Sequence, residues 1–141
     1  MQYQKFGSKY VVRIDRGEEI VSSLEDFVVE NEIKLGFIEG IGAADEIKIG
    51  LFSPETKEYS TKVLTGDHEI TGIKGNISQK DGQPYLHLHI NASDTDYNTY
   101  GGHLDYAKVS GTCEVIVMEI EGTVERKFDQ GVGLNLYKFE N

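Results

Sequence analysis

Imidazole is the side chain best suited to bind a metal ion or move a proton near neutral pH. Three of the chain's four histidines, His87, His89 and His103, fall inside one stretch, "LHLHINASDTDYNTYGGHL". In a strand alternate side chains share a face, so Leu86, Leu88 and Ile90 point one way and His87 and His89 the other. Their Cα atoms then lie about 6.5–7 Å apart. Two imidazoles at that spacing can converge on an ion about 2.0–2.1 Å from each ring nitrogen. His103 can supply a third, provided the loop "SDTDYNTYGG" returns to the strand. Gly101 and Gly102 would let the backbone turn sharply and approach closely. Three histidines with an open position describe a catalytic zinc site, whereas structural sites usually close with four protein ligands. Neutral imidazole also suits nickel, copper and iron, so the cofactor expected is zinc or another divalent transition metal. The plainer reading is that His87 and His89 are the polar side of an amphipathic strand. His68 has no histidine near it in sequence and reads as a surface residue.

Metal-assisted chemistry also needs a proton donor or acceptor and a means of holding a substrate. Glu39, set among the glycines of "IEGIG", is one acid–base candidate; a solvated glutamate is the alternative. Arg126 offers a guanidinium fork that matches a substrate carboxylate, or a surface ion pair. Tyr97 and Tyr100 lie between the ligands and could wall the site, or simply pack. Asp94 and Asp96 suit turn capping in the same loop. Cys113 opens an apolar run and reads as an inert buried thiol.

The elements that must position these groups follow from periodicity. "KYVVRID" reads as a strand. "GEEIVSSLEDFVVENEI" spaces Ile20, Leu24, Phe27 and Val28 for one face of a long helix of about four turns, with Asp15 as N-cap. From Leu35 the chain reads as strands, with Gly36, Gly40, Gly42 and Gly50 marking bends or bulges. "HEITGIKGNISQ" puts Ile70, Gly72, Lys74 and Asn76 on one face. Asp81-Gly82 in "KDGQ" predicts a tight hairpin. "CEVIVMEIEG" predicts a central strand buried on both faces, and Leu104 to Lys108 a short second helix. The fold class is α+β: an antiparallel β-sheet flanked by one long and one short helix, in a single domain over residues 1–141.

Composition narrows the function. The chain has 141 residues and a formal net charge of −10, with no basic run longer than Arg126-Lys127. A field of that sign repels nucleic acid at long range, so direct DNA binding is disfavoured. No run approaches the roughly 18–20 apolar residues of a membrane span. The N-terminal residues lack the layout of a signal peptide, and a lone cysteine forms no intrachain disulfide. A cytoplasmic location is expected.

The histidine stretch also resembles the signature of the PPC (plant and prokaryote conserved) domain: a His-x-His strand, a short Asp-rich turn and Gly-Gly-His-Leu. "FIEGIGAADEIKIGLFS", "HEITGIKGNISQKDGQPYLHLHI" and "ERKFDQGVGLNLYKF" resemble other parts of that domain, so the likeness spans nearly the whole chain. It implies an α+β fold similar to that of acetolactate decarboxylase. It implies a homotrimer, with His87, His89 and His103 holding zinc near a subunit boundary. It also places the strand of Glu69 beside the histidine strand, which makes Glu69 the first candidate for general acid or base. The plant members' AT-hook is missing here, since "DRGEE" lacks its second Arg and its Pro. Two functions follow as expectations. One is a metal site that binds or transforms a small molecule; the other is a non-catalytic regulatory module, DNA-associated through protein partners.

Overall fold

The computed structural model describes residues 1–139. A hairpin of β1 (Gln2–Phe6) and β2 (Lys9–Ile14) leads into the helix α1 (Ile20–Glu30). Four strands follow: β3 (Gly36–Ser53), β4 (Glu58–Lys80), β5 (Gln83–Ser93) and β6 (Thr99–Glu119). A hairpin of β7 (Glu125–Asp129) and β8 (Leu134–Lys138) ends the described chain. β3 pairs with β4 and β6, β4 with β5, and β5 with β6, all antiparallel, so the four long strands close a hydrogen-bonded ring. β2 extends the sheet from β6, and β7 joins β4 in parallel at Gln79 and Glu125.

α1 forms where the 3.6-residue period predicts it, and its four periodic residues Ile20, Leu24, Phe27 and Val28 are fully buried. Burial of each such side chain contributes about 1.5–3 kcal/mol. The helix is shorter than expected, 11 residues and so about three turns. It is capped by Glu19 rather than Asp15, because the longer side chain reaches three donors. One Glu19 oxygen accepts from Val21 N at 2.9 Å and Ala107 N at 3.0 Å, the other from Ser22 N at 2.6 Å. The cap therefore also ties α1 to β6.

The second helix is absent: Leu104 to Lys108 lies within β6. A β-bulge explains the misleading spacing. Leu104 pairs with Ile49 and Tyr106 with Lys48, leaving Asp105 as the extra residue. The inserted residue brings both Leu104 and Ala107 into the core, three apart as on a helix. A second irregularity between Ile70 and Gly72 separates the faces of β4. Ile70, Ile73 and Ile77 are buried, while Lys74 is exposed and Asn76 half-buried. Ile70 and Lys74 thus do not share a face. The "CEVIVMEIEG" strand is covered on one side only: Cys113, Val115 and Val117 are buried, but Ile116 is 41% exposed. Among the described residues nothing layers over its outer face, where Val11 pairs with Ile116.

The hairpin between β4 and β5 turns at Asp81 (φ 53°) and Gly82 (φ 73°), both in the left-handed region that a two-residue turn requires. This turn sets the register that carries the histidines. Replacing Glu19 with Ala should remove the cap and orphan the Ala107 amide, costing about 1–2 kcal/mol. Urea unfolding checks this; an unchanged midpoint would show that the cap contributes nothing.

Candidate metal centre

Pairing places the histidines before side-chain packing enters. β5 lies between β4 and β6, with His89 directly opposite His103 on one side and Lys74 on the other. His87 stands opposite Asn76. Alternation sends Leu88 and Ile90 into the core and both histidines to the outer face. The loop back to β6 turns at Tyr97 (φ 63°), not at the glycine pair. Asp94 Oδ1 holds that loop by accepting from the backbone of Asp96 and Asn98, each at 2.9 Å. Gly102 serves close approach instead: a Cβ there would lie 2.7 Å from the Gly50 carbonyl oxygen.

The three rings meet. Their centroids are 5.0 Å (His87–His89), 5.4 Å (His87–His103) and 5.7 Å (His89–His103) apart. One ring nitrogen from each lies within 4.8 Å of the others, and among the described residues this is the one such group of three or more potential metal ligands. Ligands of a tetrahedral zinc are separated by about 3.3 Å, so small side-chain rotations would close the set. Burial and the neighbouring charges of His89, His103 and Arg126 push His87 from the usual 6.5 down to about 4. His103 is also lowered, by burial first and then by His89, with Asp105 opposing. Both shifts favour the neutral imidazole that a metal requires. The Nδ1 atom of His103 is buried with no hydrogen-bond partner. A buried polar atom without a partner is costly, and a coordinated cation would satisfy it. The residues present therefore fit a divalent transition metal.

The surroundings differ in part from sequence expectation. Arg126 is next to the site but deeply buried, 9% exposed. Its Nε donates to Ser78 Oγ (2.7 Å), one terminal nitrogen to the Asn135 carbonyl (2.8 Å) and the other to Asn76 Oδ1 (2.8 Å). The rings of Tyr85 and Tyr137 lie 4.8 and 4.3 Å from its guanidinium carbon. Among the described residues it has no carboxylate partner, so a fixed positive charge stands beside His87. Glu39 is exposed and bound to Lys74 Nζ at 3.5 Å, and Lys74 in turn flanks His89.

Glu69 is on the strand beside the histidine strand, as the resemblance implies, but pairs with Ser93. That is four residues beyond His89, on the order of 13 Å along the strand. It stands outside the cluster. Tyr97 is 90% exposed at the loop tip. Tyr100 packs against the core and donates its hydroxyl to Asp94 Oδ2 at 3.2 Å. The tyrosine that meets the histidines is Tyr59, its ring 5.8 Å from that of His103 across Gly50, whose missing side chain leaves the space. The carboxylate recorded beside them is Asp105, the bulge residue, with Oδ1 3.9 Å from His103 Nε2 and Oδ2 3.3 Å from Lys48 Nζ. Neither position carries a sequence signal, because Tyr59 comes from another strand and Asp105 depends on a bulge. His68 is buried, not on the surface: it is 6% exposed, with Nδ1 2.7 Å from the Gly66 carbonyl oxygen. Cys113 is fully buried as expected, its thiol pushed up to about 12 by desolvation.

No helix is long and apolar enough to cross a membrane among the described residues. The structure is similar to that of a candidate DNA-binding protein from Bacteroides thetaiotaomicron, 40% identical over 99% of this chain and 98% of that one, TM-score 0.97. It also matches a metal-containing protein from Archaeoglobus fulgidus (36% identical, 99% of both chains, TM-score 0.88). A third match is a plant- and prokaryote-conserved protein from Pyrococcus horikoshii (33% identical, 99% and 96%, TM-score 0.89). A likeness at 12% identity to a Staphylococcus aureus protein similar to alpha-acetolactate decarboxylase concerns the fold alone (TM-score 0.55). A curated relative, the bifunctional protein GlmU of Synechococcus, is 26% identical over 127 residues, but the chain spans only 19% of its length. The model of the Plants and Prokaryotes Conserved (PCC) domain matches residues 1–121. The chain belongs to the Plants and Prokaryotes Conserved domain family.

Proposed function

We propose that His87, His89 and His103 hold a divalent transition metal, zinc first, in a homotrimer that binds or transforms a small carboxylate-bearing molecule. The observation that carries this reading is the convergence of three ring nitrogens within 4.8 Å. The Archaeoglobus relative, described as metal-containing, supports it. When bound, such an ion supplies Lewis acidity to a carbonyl or a lowered pKa to water.

The chain's own residues fit an anionic ligand. Arg126 adds a buried positive charge whose recorded contacts among the described residues hold no acid. Because those hydrogen bonds fix the guanidinium in place, it contributes chiefly field rather than a free fork. Lys74 sits beside His89, held by Glu39, and is placed to donate a hydrogen bond or a proton. Asp105 is placed to receive a proton near His103, and Tyr59 walls that side. In this reading Glu39 positions Lys74, while Glu69, Tyr97 and Tyr100 take no part within one subunit.

The trimer draws on the sheet face that carries the histidines. One cross-strand row runs Val11, Ile116, Glu39, Lys74, His89. Val11 (48% exposed), Ile116 and the nearby Ile41 (59%) leave apolar surface on this side. Exposed apolar patches of this kind mark association surfaces. A second reading is a regulatory module acting on DNA through protein partners. It draws on the Bacteroides relative and on a Ralstonia eutropha neighbour at 25% identity, both described as DNA-binding candidates. The net charge of −10 opposes direct phosphate contact and leaves that role to a partner.

His89 is exposed, so His89→Ala should fold and assemble normally. Its co-purifying metal, read by elemental analysis, should fall by more than about tenfold. Unchanged metal content would remove the three-histidine reading. A variant that instead lost its oligomeric state on native mass spectrometry would indicate a structural ion.

The histidine shift has a pH consequence for the metal-free protein. Unfolded His87 takes a proton near 6.5, but folded His87 only near 4. Between those values the unfolded state binds more protons, so stability falls as pH drops through this window. No penalty from His87 remains above about pH 6.5. His87→Gln should flatten that part of the curve of urea midpoint against pH. An identical slope in the variant would show that His87 titrates normally.

A further inference from the structure

Asn76 stands between His87 and Phe37 in the cross-strand row beside that of His89. Ile73 and Ile77 are core residues of β4, so Lys74, Asn76 and Ser78 alternate onto its outer face. Asn76 is half-buried there. With Phe37, Lys74, Gly75, His87 and His89 it lines a groove of about 330 Å³.

One end of its amide is already fixed. A terminal nitrogen of Arg126 donates to Asn76 Oδ1 at 2.8 Å. A guanidinium can only donate, so the amide oxygen must face Arg126 and the NH2 group must face away. Arg126 itself stands over the next row of the sheet. Its Nε donates to Ser78 Oγ at 2.7 Å, and the ring of Tyr85, the partner of Ser78, lies 4.8 Å from its guanidinium carbon. The β7–β8 hairpin thus holds Asn76 from the Ser78 end. Oxygen and nitrogen lie on opposite sides of the amide carbon, so Nδ2 turns toward Lys74 and His89, the other polar residues of the groove. Among the described residues Nδ2 has no hydrogen-bond partner, yet it is not sealed from solvent.

Charge selects the occupant. Nδ2 carries two N–H donors and no acceptor. Arg126 lies to one side of it and Lys74 to the other, the lysine shared with Glu39 at 3.5 Å. A donor between two cations suits an anionic oxygen. We propose that Asn76 is a ligand-binding residue of the histidine site: its Nδ2 donates to a carboxylate oxygen of the bound molecule, and Arg126 is the positioning residue that fixes the amide. This rests on the reading of the site as one for a carboxylate beside a metal, and adds to it the group that recognises the carboxylate. Arg126, tied down by its own hydrogen bonds, acts on the ligand through Asn76.

Asn76→Asp separates this role from a merely structural one, because it keeps an acceptor for Arg126 and removes the donor. The probe is sodium acetate, titrated into the protein as purified at constant ionic strength against sodium chloride. In the parent, the NMR signals of the Asn76 side-chain NH2 group should shift and saturate with acetate but not with chloride. Acetate affinity, read from the His87 and His89 ring signals, should fall at least about tenfold in Asn76→Asp, the loss of one hydrogen bond to a charged group. Asn76→Ser, uncharged and too short to reach, should lose a like factor. Both variants should keep the parent's metal content and oligomeric state; loss of either along with acetate binding would assign Asn76 to the fold and overturn the proposal. Parent Asn76 signals that stay still, or that chloride moves equally, overturn it too, and that measurement needs no variant to fold. So does unchanged affinity in Asn76→Asp, or a loss confined to Asn76→Asp, which would be charge repulsion alone. Elemental analysis of the same samples keeps two failures apart. Metal in place beside a silent Asn76 contradicts this inference only. Metal-free protein whose Asn76 signals still saturate with acetate supports this inference and contradicts the metal reading.

Discussion

The registration of β5 between β4 and β6 is the constraint on which the site depends. His89 faces His103 because those two residues are cross-strand partners, and His87 joins them by the two-residue period of its own strand. A slip of β5 by one residue would send His87 and His89 into the core, away from His103, and Leu88 and Ile90 into water. The buried row Leu88, Ile90, Ala92 forbids that slip, since each is at most 2% exposed. The two-residue turn at Asp81-Gly82 sets the same register from the other side. Core packing and site geometry are thus one decision read on opposite faces of a strand.

Electrostatics then sets what the site can hold. Desolvation lowers His87 and His103 and so favours the neutral rings that donate lone pairs. Arg126 sits beside them in a buried clamp of two tyrosine rings and three hydrogen bonds. A cation beside a metal site raises the local positive charge and makes an anionic ligand the natural complement. This runs against the overall charge of −10, so the acidity of the surface and the polarity of the site are separate properties.

Much of this was legible in the residues. The spacing of Ile20, Leu24, Phe27 and Val28 marked the helix, and the alternation around His87 and His89 marked the outer face of β5. The "KDGQ" turn and the buried Cys113 also followed from local chemistry. The misreadings share a cause. Leu104 and Ala107 look helical only because Asp105 is an inserted bulge residue. Ile70 and Lys74 look like neighbours on one face only if the strand is regular. Ile116 reads as core because nothing in one chain's sequence says which sheet face goes uncovered. Long-range register decided Glu69 as well: the strand was adjacent as expected, but the pairing set it opposite Ser93. His68 turned inward through a carbonyl two residues away, and Tyr59 reached the histidines through space left by Gly50. Bulges, partner strands and glycine gaps belong to the assembled sheet and leave little trace in local pattern.

X-ray absorption at the edge of whatever metal co-purifies with the protein tests the central claim most directly. The result expected is one ion per chain with three imidazole nitrogens at about 2.0–2.1 Å and an exchangeable light-atom ligand completing the shell. An ion ligated by fewer than three imidazoles, or protein that takes up no metal at all, would contradict it.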